Sequence, residues 1–132
     1  MKILQFTSLL FITVLIHAFY VQNIIYYNMA LLITILSILT HGYNLKEKNC
    51  IKQIDKIIAH YAFLYIILID IPKIIKIQPL IILFPISLII IWITEYIYTE
   101  HFIILHSLFH LVSIITLHVN LYYLTILELS LK

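Results

Sequence analysis

Arginine is absent from the 132 residues, glycine occurs once, at Gly42, cysteine once, at Cys50, and charged side chains make up only 11% of the chain. The lone cysteine excludes an internal disulfide and any cysteine-based metal knuckle. Eight lysines against six carboxylates leave a net charge of +2, too small and too spread along the sequence to attract nucleic acid. The isoleucine-rich, arginine-free bias reads as an AT-rich genome, and no function is taken from it. What the chain does have is apolar surface: 64% of its residues are hydrophobic and its mean hydropathy is +1.10. A water-soluble fold of this length could not bury so much.

A bilayer core takes roughly 20 apolar residues per helix and about 17 at the short end, so the sequence predicts a single all-α transmembrane domain of about five helices. The first span covers Ile3 to Val21. Around His17-Ala18-Phe19-Tyr20 there is no small-x-small cleavage site, so it is kept as a helix and not read as a signal peptide. The second runs from Ile24 to His41, ending where Gly42 and Asn44 are natural terminators. Lys46, Glu47, Lys48 and Lys52 mark the main extramembrane loop. Ile54 to Ile71 is the third span, stopped by Pro72, and Pro79 to Tyr98 the fourth, with a kink expected at Pro85. His101 to Leu127 is the fifth.

Alternating spans place Lys2, Lys46, Lys48, Lys52 and Lys56 on one side, against Lys73, Lys76 and Lys132 on the other. The positive-inside rule makes the first side cytoplasmic.

Ionisable residues inside a bilayer are costly and mark functional sites. Seven histidines in so small a membrane protein therefore call for a reason. His106 and His110 are spaced i, i+4, which puts both imidazoles on one helix face. His41 from the second helix can complete three protein ligands of a catalytic zinc site, with the fourth position left to water. Asp55 can hold or deprotonate that water, and Ser37, one turn before His41, can hydrogen-bond it or a supporting group. Each pair alone is within what composition produces by chance. Their joint placement on one membrane face carries the argument.

The remaining polar residues have structural readings. His60 is rotated about 140° from Asp55 and is expected to face another helix or lipid, while His118 is expected to be a buried, hydrogen-bonded histidine. His17 and His101 have no evident partner, and Asp70, Glu95, Glu100 and Glu128 read as solvated carboxylates at helix ends. Trp92 and the ten tyrosines read as interface-belt residues.

Ser37-Ile-Leu-Thr-His41, Asp55 at the head of the next helix, and His106-Ser-Leu-Phe-His110 in the last helix resemble the CREST superfamily of membrane hydrolases. That group includes alkaline ceramidases, the adiponectin-receptor and hemolysin III family, and the TMEM8/myomaker relatives. The resemblance covers helices 2, 3 and the last. It implies that His41, His106 and His110 ligand Zn²⁺, that Asp55 contacts the water on the zinc, and that Ser37 supports it. Members have seven helices. A form shortened by two keeps the parity that holds the motif on one face.

Three functions follow as expectations. The first is a zinc-dependent hydrolase of a ceramide-like lipid amide, its acyl chain entering from the bilayer. The second is a non-catalytic membrane subunit or receptor-like protein with structural histidines, its protein partners unspecified. The third is a bis-histidine haem protein using ligands such as His60 and His118.

Overall fold

Hydrocarbon offers no partner for a backbone N–H or C=O, so runs rich in isoleucine and leucine satisfy these groups internally, as helices. The computed structural model describes residues 2–43, 46 and 49–131, and these contain helices and turns and no strand. Asn44, Lys48 and Lys132, used above as a terminator and as topology charges, lie outside the described residues. Among the described residues, five helices are long and apolar enough to cross a membrane: helix 1 Lys2–Tyr20, helix 2 Ile24–Gly42, helix 3 Cys50–Ile74, helix 4 Pro79–Ile97 and helix 5 Thr99–Ser130. The chain is a multi-pass membrane protein of the all-α class.

Helix 1 is interrupted at Leu10. There Thr13 N–H closes a tight turn on Leu10 O (3.0 Å). Hydroxyls that bond back to the preceding turn bend helices, and Thr7, Ser8 and Thr13 all do so. The turn into helix 2 is a Schellman arrangement, with Gln22 N–H on Phe19 O (3.1 Å) and Asn23 N–H on Ala18 O (2.9 Å). Gln22 carries φ 59° there, and the Asn23 side chain then caps helix 2 by accepting from Tyr26 N–H (3.1 Å).

Three boundaries differ from the sequence expectation. Helix 2 ends without a left-handed glycine. Helix 3 starts earlier, at Cys50, because Asn49 caps it by accepting from Ile51 N–H (2.9 Å). It also runs through Pro72 to Ile74: a π turn over Ile66–Asp70 widens the helix, with Ile71 N–H bonded to Ile66 O, and so accommodates the missing proline N–H. Pro85 falls inside helix 4 where the helix changes type. A 3₁₀ turn, Pro79–Ile82, precedes the α-helix Leu83–Ile97, so Pro85 falls in the first α turn, where N–H groups have no helical acceptor to lose.

Helix 1 packs against helices 2 and 5, helix 2 also against helix 3, and helix 4 against helix 5, while the end of helix 3 reaches helix 5. Ala18 and Ala30 are fully buried between helices 1 and 2, small side chains that let backbones approach where lipid supplies no hydrophobic drive. Ile114, Leu117, Leu121 and Leu124 bring helix 5 into the same core. Outward residues such as Phe6, Ile16, Leu68 and Ile104 are more than half exposed, which suits a hydrocarbon boundary.

Candidate metal centre

His41 lies in the last turn of helix 2, where Gln5 of helix 1 donates to the carbonyls of His41 and Gly42 (3.4 Å each). His106 and His110 occupy successive turns near the start of helix 5. The helix spacing puts their rings 4.7 Å apart, centroid to centroid, and the packing of helices 2 and 5 against helix 1 brings His41 to 5.1 Å from His106 and 5.3 Å from His110. One ligand nitrogen from each falls within 4.8 Å of the others. A tetrahedral zinc site with Zn–N near 2.0–2.1 Å separates its nitrogens by about 3.3 Å, so rotamer adjustment closes the group on an ion.

Hydrogen bonding fixes which nitrogens are offered. Thr7 spends its hydroxyl proton on Leu4 O (3.1 Å) and stands 3.0 Å from His110 Nδ1, so it accepts an Nδ1–H from His110. His106 Nδ1 is 3.1 Å from both carboxylate oxygens of Glu95, which have no proton to offer when ionised. With these partners, a neutral ring at either position carries its proton on Nδ1 and offers Nε2. His41 Nε2 is buried without a hydrogen-bond partner, an arrangement that costs free energy unless something occupies it. One orphaned Nε2 and two further rings, backed at Nδ1 by a carboxylate and a hydroxyl, match the donor set and outer support of a histidine metal site. The group can hold a metal ion. Phe102 stacks on His106 (5.0 Å) and Phe11 meets His110 edge-on (5.6 Å), which gives the site apolar walls.

Asp55 is half-buried on the second turn of helix 3, within electrostatic reach of His106. It faces the buried hydroxyl of Thr40 on helix 2. Ser37 goes elsewhere. Ser8 donates to Leu4 O (2.7 Å), so Ser37 donates to Ser8 (2.8 Å), tying helix 2 to helix 1.

Several structural readings change. Glu95 is no solvated end carboxylate: its side chain is 14% exposed and pairs with His106. Asp70, 1% exposed, accepts from Tyr26. His17 does have a partner, since its ring stacks on His118 with their Nδ1 atoms 2.8 Å apart. His118 is half-buried and hydrogen-bonded, also meeting Thr13, while His60 faces Trp92 of helix 4 (6.2 Å). His60 and His118 are thus engaged with different helices. Thr7, Thr40 and Glu95 were not singled out as site residues. Only the order of the helices around the bundle places them there.

No protein-family model, curated protein or solved structure matches the chain.

Proposed function

We propose that the chain is an integral-membrane, zinc-dependent hydrolase of a lipid amide bond, a shortened relative of the CREST hydrolases. The observation that carries this reading is the convergence of His41, His106 and His110, with His41 Nε2 left as an orphaned buried acceptor. Three neutral imidazoles suit zinc, and a three-ligand set leaves a position for chemistry. Zinc, when bound, supplies Lewis-acid polarisation of a carbonyl and acidification of water. The protein's own residues do the rest. Asp55 accepts a proton at its carboxylate, Glu95 and Thr7 hold two of the rings in the ligating tautomer, and the phenylalanines exclude bulk water from the carbonyl. The lysine asymmetry puts this face in the cytoplasm.

Metal analysis of the purified chain, combined with hydrolysis of a ceramide in mixed micelles, tests the reading. One equivalent of zinc, lost together with activity in His106→Ala and His110→Ala, supports it. Substoichiometric zinc in the unsubstituted protein, or zinc content indifferent to those substitutions, rejects it. A second reading, a non-catalytic membrane subunit, is favoured by Ser37, which serves helix packing through Ser8. In that case the histidine variants fold and assemble with no activity to lose.

A further inference from the structure

A second pair of histidines joins helices 1 and 5 away from the first group. His17 lies in the last turn of helix 1, and His118 lies two turns past His110 on helix 5. Their rings stack with centroids 5.0 Å apart and planes 19° from parallel, and their Nδ1 atoms are 2.8 Å apart. That distance is a hydrogen bond, so one hydrogen stands between the two nitrogens. Thr13 decides which ring supplies it. Its hydroxyl gives its proton to Leu10 O (2.7 Å) and lies 3.0 Å from His118 Nε2. With that partner, a neutral His118 carries its proton on Nε2 and presents a bare Nδ1. A neutral His17 meets it with Nδ1–H, which leaves the Nε2 lone pair of a part-exposed ring as the place where the next proton enters.

A proton added at His17 Nε2 leaves this arrangement in place and makes the Nδ1–H···Nδ1 bond charge-assisted. The hydrogen between the rings can then pass to His118 Nδ1, moving the charge from helix 1 to helix 5 without moving either helix. A second proton has no such place. Both Nδ1 atoms would then carry hydrogens directed at each other, and two like charges would face one another at membrane depth. The titratable residues at this end of the neighbouring elements are Tyr20 on helix 1, Tyr26 and Tyr27 on helix 2, Tyr65, Asp70, Lys73 and Lys76 on the end of helix 3 and the turn after it, and Tyr122, Tyr123 and Glu128 on helix 5. Helix 4 begins here with the ionisable-free run Pro79–Leu88. Of the two carboxylates, Asp70 is held by Tyr26 and Lys73, and Glu128 lies nearly three turns past His118.

We propose that His17 and His118 form a one-proton lock between helices 1 and 5: the helices stay joined at this end while the pair carries at most one proton beyond neutrality, and part when it carries two. The pair titrates as a unit in two macroscopic steps, within the pH range where histidine changes charge. The stability that the contact contributes is present at the upper end of that range, survives the first step and is lost on the acid side of the second. Protonation of histidines at interfaces is a general means of switching them, and here the switch is the hydrogen bond itself.

The test uses the full chain, labelled with ¹⁵N-histidine, in detergent micelles from about pH 8 to about pH 4. Nitrogen chemical shifts report the protonation of each ring. The expected result is a scalar coupling across the hydrogen bond between the Nδ1 atoms of His17 and His118 that persists through the first protonation and vanishes with the second, as the melting temperature falls by several degrees. His17→Phe keeps a ring in the stack and takes no proton, and its acid loss is expected to be smaller by those degrees. Absence of the coupling at about pH 8, a coupling that outlasts protonation of both rings, or an equal acid loss in His17→Phe overturns the lock. Should His17→Phe fail to fold, the coupling in the unsubstituted protein decides alone. The coupling is expected unchanged in His106→Ala, which separates it from the zinc reading.

Discussion

Glu95 grips His106 across the tight connection between helices 4 and 5, both of its carboxylate oxygens lying 3.1 Å from Nδ1. This contact fixes the ring's tautomer and raises the basicity of the opposite nitrogen. Removing such outer support commonly costs 10–100-fold in metal affinity. Glu95→Gln is therefore expected to weaken zinc binding by about tenfold and Glu95→Ala by more, with helicity unchanged. Competition against a chromophoric chelator measures it.

Thr7 supports His110 in the same way from helix 1. Thr7→Val keeps the shape and removes the acceptor, leaving a buried N–H unmet at a cost of about 1–3 kcal/mol. The variant is expected to melt earlier and to bind zinc more weakly, whereas Thr7→Ser stays near the unsubstituted protein. Thermal unfolding in micelles, with and without zinc, reads both effects.

Metal binding to the folded state alone stabilises by mass action, about 2.7 kcal/mol at a hundredfold excess over Kd. Protein stripped by chelator is thus expected to melt at lower temperature and to recover on adding zinc. His41→Ala abolishes the recovery. A recovery undiminished in that variant would place the ion elsewhere.

Ser37 offers a test between chemistry and packing. Because its hydroxyl is committed to Ser8, Ser37→Ala is expected to cost about 1 kcal/mol of stability with zinc content unchanged, and Ser8→Ala to cost a similar amount. Loss of zinc in Ser37→Ala but not in Ser8→Ala would assign Ser37 to the site.

Gln22 holds a left-handed backbone conformation at the turn between helices 1 and 2, a conformation that costs an L-residue about 1–2 kcal/mol. Gln22→Gly is expected to raise stability by about 1 kcal/mol after the entropic penalty of glycine. Gln22→Val does the reverse. Both are read from melting temperature.

Hydropathy was enough to find five spans, because the interruptions at Gln22-Asn23, the lysine-rich loop, Gln78-Pro79 and Thr99-Glu100 are all polar or breaking. Parity then put His41, Asp55, His106 and His110 on one face, and the structure draws the three histidines together there. Local rules misjudged one proline: Pro72 reads as a stop unless the helix can widen into a π turn. Carboxylates were misjudged for a different reason. Glu95 and Asp70 sit near helix ends in the sequence, and nothing local reveals that each turns inward to a partner on another helix.

Because Thr7 and Ser8 of the first helix brace residues of the second and fifth, the histidine group cannot exist during most of synthesis. Its last two ligands enter the membrane after the other four helices, and they gain their support only when the fifth packs beside the first. A chain stalled or misthreaded after the fourth helix would thus present His41 alone, without the two partners that make the group able to hold an ion.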